Sequence, residues 1–370
     1  MVIGIDVSRA NTKNRTGVEE YVFQVCTYAC MIVSEYSDVT LVLYTRESLI
    51  ADLSAVIPDT VKVKILTWPL RHFWTQIRLS WEMLTHPPDV LFVPGHVFPL
   101  IHPKKTIMTI HDIAASTFPE SYSWFERWYS LWSARVAVQS LWKCIAISEF
   151  TKKEIGRWVT NNDTVFVVPL ACDDIYHVID DIEGTKTVVR KYGITTSFIL
   201  SIGRLETKKN TVRIIQAFNN LKSNIQSLFS DVQLVLVGGK GYGAERVFEE
   251  IEKSPYKKDI VLLGYVDKED LPYLLNAADV FVFPSLYEGF GIPILEAFAC
   301  GTPVVTSNTT GCTEVAGDGA VRVDPLDVGS IAKGIEEAMH GLTVDKGLMR
   351  VQGYLWEKTV RELFAILRAQ

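Results

Sequence analysis

Two short segments of this 370-residue chain carry residues whose types and spacing suit gripping an anion together with an oxygen-rich ligand. One reads Val280-Phe-Val-Phe-Pro-Ser-Leu-Tyr-Glu288-Gly-Phe-Gly-Ile-Pro-Ile-Leu-Glu296-Ala-Phe-Ala-Cys-Gly301-Thr-Pro303. It predicts a buried strand, a loop containing Gly289 and Gly291, then a helix with Pro293 in its first turn and Gly301 just past its end. The amides of Phe290, Gly291 and Ile292 are expected to face outward at that helix start, where free N–H groups and the macrodipole attract negative charge. Glu288 stands just before the helix and Glu296 about one turn inside it, so two carboxylates address one ligand at different heights. Ionised carboxylates only accept hydrogen bonds, which suits them to hydroxyl groups. The bland alternative is that Glu288 caps the helix and Glu296 faces solvent.

The other segment, Ser201-Ile-Gly203-Arg204-Leu-Glu-Thr-Lys-Lys209-Asn210, ends a predicted strand and precedes a helix that Asn210 is expected to cap. Arg204 offers a bidentate fork and Lys209 a point charge, both placed to reach a diphosphate. Fixed cations there stabilise the negative charge that grows on a departing diphosphate more than they stabilise the ground state. Lys208 fits a solvated charge run. No Asp-x-Asp occurs in the chain, so a carboxylate-held metal ion is not implied.

The paired glutamates, within Tyr-Glu-Gly-Phe-Gly-Ile-Pro-Ile-Leu-Glu-Ala-Phe-Ala-Cys-Gly-Thr-Pro, resemble the donor-site motif of the family 4 retaining glycosyltransferases, and Gly203-Arg204 followed by Lys209-Asn210 is similar to a second motif of that family. The resemblance implies that Glu288 contacts the donor sugar, that Phe290 and Gly291 touch sugar and phosphate through their backbone, and that Glu296 binds the ribose hydroxyls. It extends to Gly17 in Arg15-Thr16-Gly17-Val18, which resembles the family's N-terminal glycine loop and whose amide is open to a donor phosphate. It also extends to His111-Asp112, where the family's histidine lies beside the donor sugar; a histidine at a strand end is as readily structural. His86, His96 and His102 lack such context and read as structural.

The loop Gly238-Gly239-Lys240-Gly241-Tyr242-Gly243 invites comparison with a dinucleotide fingerprint. Such a site wants an acidic residue at the end of the next strand, where this chain has Gly264-Tyr265-Val266 instead. The resemblance places Gly239, Lys240, Tyr265 and Val266 near the nucleotide base and phosphates. Over the whole chain it is close from Ser201 to Pro325 and looser before Thr160. Ala171 departs from it, standing where many relatives have glycine in Val168-Pro-Leu-Ala-Cys-Asp173.

The elements that must position these residues are legible as short β-branched runs alternating with amphipathic windows, the pattern of βαβ units and parallel sheets. The first half offers runs at Val2–Val7, Val39–Tyr44, Val61–Leu66, Val90–Val93, Ile107–Ile110, Lys143–Ile147 and Val165–Val168. The second offers Phe198–Ile202, Gln233–Val237, Ile260–Leu263, Val280–Phe283, Pro303–Thr306 and Ala320–Val323. Residues 1–172 predict one doubly wound domain, 173–192 a polar linker and lead-in helix, and 193–354 a second doubly wound domain; the resemblance implies that the first lies on the acceptor side and that the second binds the donor. Two such sheets present their strand ends to a shared central cleft. The fold class is therefore α/β with two doubly wound, Rossmann-like domains; the resemblance implies that they form a GT-B fold and that a closing helix over 355–370 crosses back to the first domain.

Composition narrows the ligand. Lys and Arg number 37 against 43 Asp and Glu, so the net charge is −6 and the basic excess that nucleic-acid binding needs is missing. The six cysteines form no Cys-x-x-Cys pair, which fits a reducing cytoplasm, and the apolar window Tyr21 to Val33 is too short to span a bilayer. Six of the nine tryptophans fall in two first-half windows, Trp74 and Trp81, then Trp124, Trp128, Trp132 and Trp142, interspersed with Arg71, Arg78, Arg127, Arg135 and Lys143. Helices of that composition lie on lipid surfaces, while packing inside the first domain is the bland alternative.

The resulting expectation is a retaining, metal-independent hexosyltransferase without a cofactor. Its donor is a nucleoside-diphosphate sugar and its acceptor a glycan or lipid-linked glycan, with GDP-mannose the favoured donor because the first half looks most like bacterial mannosyltransferases of surface polysaccharide. It would work in the cytoplasm, with peripheral contact at the inner face of the membrane. The competing expectations are a nucleotide-sugar epimerase or hydrolase on the same fold, and an inactive nucleotide-sugar binding protein.

Overall fold

The computed structural model describes residues 1–13, 15–70, 72–158, 163–224 and 230–369; Arg71 lies outside them. The chain divides into two compact units, 1–117 with 123–170 and 356–370, and 118–122 with 171–355.

In the first unit seven strands form one parallel sheet: β1 (Val2–Asp6), β2 (Thr40–Thr45), β3 (Lys62–Ile65), β4 (Val90–Val93), β5 (Thr106–Ile110), β6 (Lys143–Ala146) and β7 (Val165–Val167). Their order is β3-β2-β1-β4-β5-β6-β7, so the winding reverses between β1 and β4. The central strands β4 and β5 are buried along their whole length, and β4 accordingly reads as a continuous apolar run rather than an alternating one. The edge strand β3 is partly exposed and correspondingly carries Lys62 and Lys64.

The second unit holds β8 (Phe198–Ile202), β9 (Gln233–Val237), β10 (Ile260–Gly264), β11 (Val280–Phe283), β12 (Val304–Ser307) and β13 (Val321–Val323). This sheet is also parallel, ordered β10-β9-β8-β11-β12-β13, and reverses between β8 and β11, where Ile199 pairs with Val280. Ligands of open α/β sheets bind beyond the carboxyl ends of the strands at such a reversal.

The helix Trp356–Arg368 belongs to the first unit. It buries Trp356, Val360, Leu363, Phe364 and Leu367 along one helical stripe, with Phe364 5.6 Å from the Tyr36 ring. Arg361 makes a two-pronged ion pair with Glu35 at 2.7 and 2.8 Å, and Arg368 reaches Asp38 at 3.0 Å. Among the described residues no helix is long and apolar enough to cross a membrane. All six cysteines are free and buried, and burial pushes the Cys144 thiol up to about 12.

Candidate active site

In the second unit the reversal point is built by two loops leaving adjacent strands. Beyond β8, Gly203 donates its amide to the Val237 carbonyl at 2.8 Å and Leu205 donates to Gly239 at 2.9 Å. Gly241 in turn donates to Leu205 at 3.0 Å, and Thr207 to Tyr242 at 3.1 Å. The glycine cluster after β9 is thus stitched, backbone to backbone, onto the loop that carries Arg204. Gly238 shows why it must be glycine: a Cβ there would lie 2.1 Å from the Gly203 carbonyl oxygen. Close packing of two loops accounts in the same way for Gly241 and Gly243, where a Cβ would meet Glu206 and Thr207, but not for Gly239, which has open space around it. Gly239, Lys240 and Tyr265 are left exposed at the ends of β9 and β10, whereas Val266 is buried.

Past Arg204 the chain makes a single 3-10 turn, Thr207–Lys209, and Asn210 follows in the left-handed region at φ 64°. The expectation that the Asn210 side chain caps the next helix is not met. Its amide nitrogen instead donates to the carbonyls of Pro284 at 3.0 Å and Pro325 at 2.6 Å, and its oxygen accepts from Arg213 at 2.9 Å. An asparagine tolerates left-handed backbone and offers both a donor and an acceptor, so it can tie three loop segments under the site.

That tie sets Lys209 against the second motif. Its ammonium lies 2.5 Å from Glu288 Oε1 and 5.0 Å from the Phe283 ring, and both members of the pair are mostly covered. Glu288 therefore does not cap the helix Ile292–Ala299; Gly291, at φ 118°, occupies the cap position without a side-chain bond. Lys208 is not freely solvated either, since its ammonium stands 3.6 Å from the buried carboxylate of Glu206. Arg204 is exposed and has no hydrogen-bond or ion-pair partner among the described residues.

The amides of Phe290, Gly291 and Ile292 have no acceptor among the described residues, as an anion site requires. Phe290 and Gly291 are buried as residues and Ile292 is half-covered. Gly311, unremarked in the sequence, explains the enclosure. It donates to the Glu288 carbonyl at 3.0 Å, and a Cβ on it would meet the Gly289 oxygen at 2.4 Å. Glu296 is half-buried instead of facing solvent, and its charge helps burial push the Cys172, Tyr176 and Cys300 side chains upward in pKa.

The first unit's reversal point has a different character. Gly17 opens the helix Gly17–Ile32, with nothing within 4 Å of where its Cβ would be, and Thr16 ahead of it hydrogen-bonds Glu19 at 2.6 Å. His111 follows β5 and is buried, its Nε2 2.8 Å from the Pro94 carbonyl. A carbonyl can only accept, so this partner assigns the proton to Nε2 and leaves Nδ1 with its lone pair. Burial, aided by His96, pushes the His111 pKa down to about 3, so the ring is neutral. His96, set aside from the sequence, is its neighbour at 5.1 Å between ring centroids. The sequence also missed Arg9, whose side chain crosses Gly95, where a Cβ would lie 3.3 Å away, and approaches Glu19 at 4.0 Å. A Ser-Arg pair two residues past a first strand was the available signal.

A family model described as Glycosyltransferase Family 4 matches residues 16–174, and one described as Glycosyl transferases group 1 matches residues 186–345. The O-antigen chain mannosyltransferase B of Escherichia coli is 31% identical over 307 residues, covering 81% of this chain and 77% of that protein. The chain belongs to the family 4 glycosyltransferases. Serotype-specific mannosyltransferase WbdA of Escherichia coli is 30% identical over 241 residues, 64% of this chain but only 29% of its own length. Solved structures agree on the fold: WaaG, a glycosyltransferase of lipopolysaccharide biosynthesis, superposes at TM-score 0.73 with 14% identity, covering 100% of each chain. Anabaena HepE in complex with UDP and glucose gives 0.74 at 17% identity, covering 100% of this chain and 99% of HepE. Both sheets of this glycosyltransferase are thus Rossmann-like halves of a GT-B fold, and its activity is glycosyl transfer.

Proposed function

We propose that this glycosyltransferase moves mannose from GDP-mannose to a glycan or lipid-linked glycan, with retention of anomeric configuration and without a metal ion. The observation that carries the donor assignment is the pairing of Lys209 with Glu288 at 2.5 Å beside three acceptor-less amides. A cation and a carboxylate held side by side match a donor's two faces: Lys209 and Arg204 suit the diphosphate, Glu288 the sugar hydroxyls. Glu296 suits the ribose.

In this reading the bond from the anomeric carbon to the diphosphate oxygen breaks with both electrons leaving on the diphosphate. The acceptor oxygen then bonds to the same face of the oxocarbenium-like carbon, and its proton passes to the departing phosphate oxygen. Arg204 and Lys209 take the charge-stabilising part that a divalent ion plays elsewhere. The mannose preference leans on the names of the two Escherichia coli relatives, and the lipid-linked acceptor on a diphospho-undecaprenol transferase of Campylobacter jejuni, 29% identical over 153 residues. The reading puts the enzyme in the cytoplasm, in peripheral contact with the inner membrane face.

The test is a panel of nucleotide sugars assayed with EDTA present, with the anomer of the product read by NMR. Transfer from GDP-mannose giving an α-linked product is the expected result. Epimerised or hydrolysed donor without transfer, thermal stabilisation without turnover, or loss of activity with EDTA that added metal restores would overturn it.

A further inference from the structure

The first unit holds a pocket beside its reversal point rather than in it. Arg9 lies just past β1, and Arg46 and Glu47 just past β2; with Phe73, Phe125 and Tyr129 they line a space of about 530 Å³. A volume of that size suits a small ligand, and the carboxyl ends of parallel strands are where open sheets place one. Arg9 stands on the divide. Its side chain crosses Gly95, next to His96 and its neighbour His111, and it also lines the pocket.

Two departures from regular backbone converge there. Phe73 sits in the left-handed region at φ 66°, and the residues after it, Trp74–Leu79, form a π-helix. Each feature costs free energy, persists only where its surroundings hold it, and recurs at functional sites. The hold is visible: buried Trp74 donates its indole N–H to the Leu66 carbonyl at 2.7 Å, and Gln76 hydrogen-bonds the Tyr129 hydroxyl. Strain that served packing would bury the Phe73 ring, yet that ring is 57% exposed. Phe125 is 53% exposed and stacks on Tyr129 at 5.8 Å with 5° between the planes, which gives the pocket a flat apolar shelf. Trp124, Trp128 and Trp132 of the same helix, Trp124–Ser140, are also exposed, but they line a separate groove.

We propose that this pocket holds a neutral sugar ring of the acceptor chain, other than the ring that receives the transferred sugar, and so selects acceptors by length. A pyranose has C–H faces that pack on exposed aromatic rings and hydroxyls that both donate and accept. The polar lining asks for both roles, since Arg9 and Arg46 can only donate and the Glu47 carboxylate can only accept. A lipid tail would strip water from those charges without pairing them, and an anion would face Glu47. Position supplies the rest. Chemistry belongs at the reversal between β1 and β4, whereas this pocket stands at the ends of β1 and β2, one strand further along the sheet. The inference rests on the glycan acceptor of the proposed function, to which it adds a second point of contact.

The test is transfer by the full chain from GDP-mannose to methyl α-mannoside and to mannotriose, with binding of mannotriose alone followed by saturation-transfer NMR. In the wild type the KM for mannotriose should lie about tenfold below that for the monosaccharide, the upper range of what one stacked ring contributes. Phe73→Gly suits the left-handed backbone and removes only the ring, so it should erase that difference and the NMR signal while the unfolding midpoint does not fall. Phe73→Tyr keeps the ring and should retain both. Phe125→Ala, which leaves the strained turn alone, should shrink the difference in the same direction. The KM for GDP-mannose should not follow these changes. Mannotriose that fails to bind the wild type, equal KM for the two acceptors, or a Phe73→Gly enzyme that keeps the difference would overturn the inference. Absent donor turnover in the wild type would instead sink the functional reading, and loss of the NMR signal in Phe73→Gly would still support the pocket.

Discussion

The two reversal points of this glycosyltransferase are topological equivalents and chemical opposites. In the second unit the strand ends carry charge: Lys209 paired with Glu288, Arg204 unpaired, and three amides lacking acceptors. In the first, the central group is a buried imidazole kept neutral by its surroundings, flanked by a second histidine and a tyrosine ring 4.8 Å away. The same sheet architecture carries a cation, an ion pair and free amides at one reversal point and a buried neutral imidazole at the other. Fold therefore does not set the chemistry of a strand end; the loop residues do.

The contrast can be broken experimentally, beginning where the largest effect is expected. Lys209→Ala should lower kcat by about a hundredfold or more, as loss of one preorganised charge stabiliser does. Steady-state kinetics showing near wild-type kcat would remove Lys209 from the mechanism. Asn210→Ala should cost about 2–3 kcal/mol in urea unfolding, because it orphans buried carbonyls and strains a left-handed position. Asn210→Gly, free of the backbone strain, should recover a few tenths to 1 kcal/mol. An unchanged midpoint in both would show that the tie beneath the donor loops is dispensable.

Arg204→Ala should lose about tenfold in kcat/KM, less than Lys209→Ala because the guanidinium is solvated and screened. An effect as large as that of Lys209→Ala would mean that the two cations act as one unit.

The smallest effect probes the first unit. The His111 pKa is lowered from 6.5 to about 3 on folding. The unfolded chain therefore binds a proton that the native one refuses, and stability falls as pH drops below 6.5. Between pH 6.5 and 5.5 the loss should be about 1 kcal/mol. His111→Gln should flatten that part of the stability profile, and a parallel profile would assign the acid sensitivity to another group.

What could be read in the sequence follows the same division. The second unit's candidate site could be proposed from sequence because two contiguous stretches carry it, and their glycines, proline and charges announce a strand, turn and helix start. The thirteen strands among the described residues were all visible as β-branched runs, the central ones because both faces of a parallel sheet are buried there. Asn210 misled because Asn before a helix normally signals a cap, and only the tertiary fold brings Pro284 and Pro325 within its reach. Gly311 was silent for a similar reason: the peptide it packs against lies more than twenty residues earlier. The first unit's site was harder still. Arg9, Gly17, His96 and His111 come from separate loops, so no local spacing links them, and His96 earns notice only once its ring is seen against His111. The exposure of the tryptophans was likewise undecidable from pattern, because an aromatic stripe at helical spacing fits a core as well as a surface.

The pairing of Arg361 with Glu35 and Arg368 with Asp38 has a bearing on biosynthesis. The first unit holds residues 1–117 and 123–170 yet also includes the helix Trp356–Arg368, so the ribosome makes the second unit, 171–355, before it delivers that helix to the first. During translation the second unit can complete its hydrophobic core while the Tyr21 and Tyr36 side of its predecessor still waits for Trp356 and Phe364. Among the described residues, the lobe that is translated first thus receives one of its helices only after the other lobe has been made.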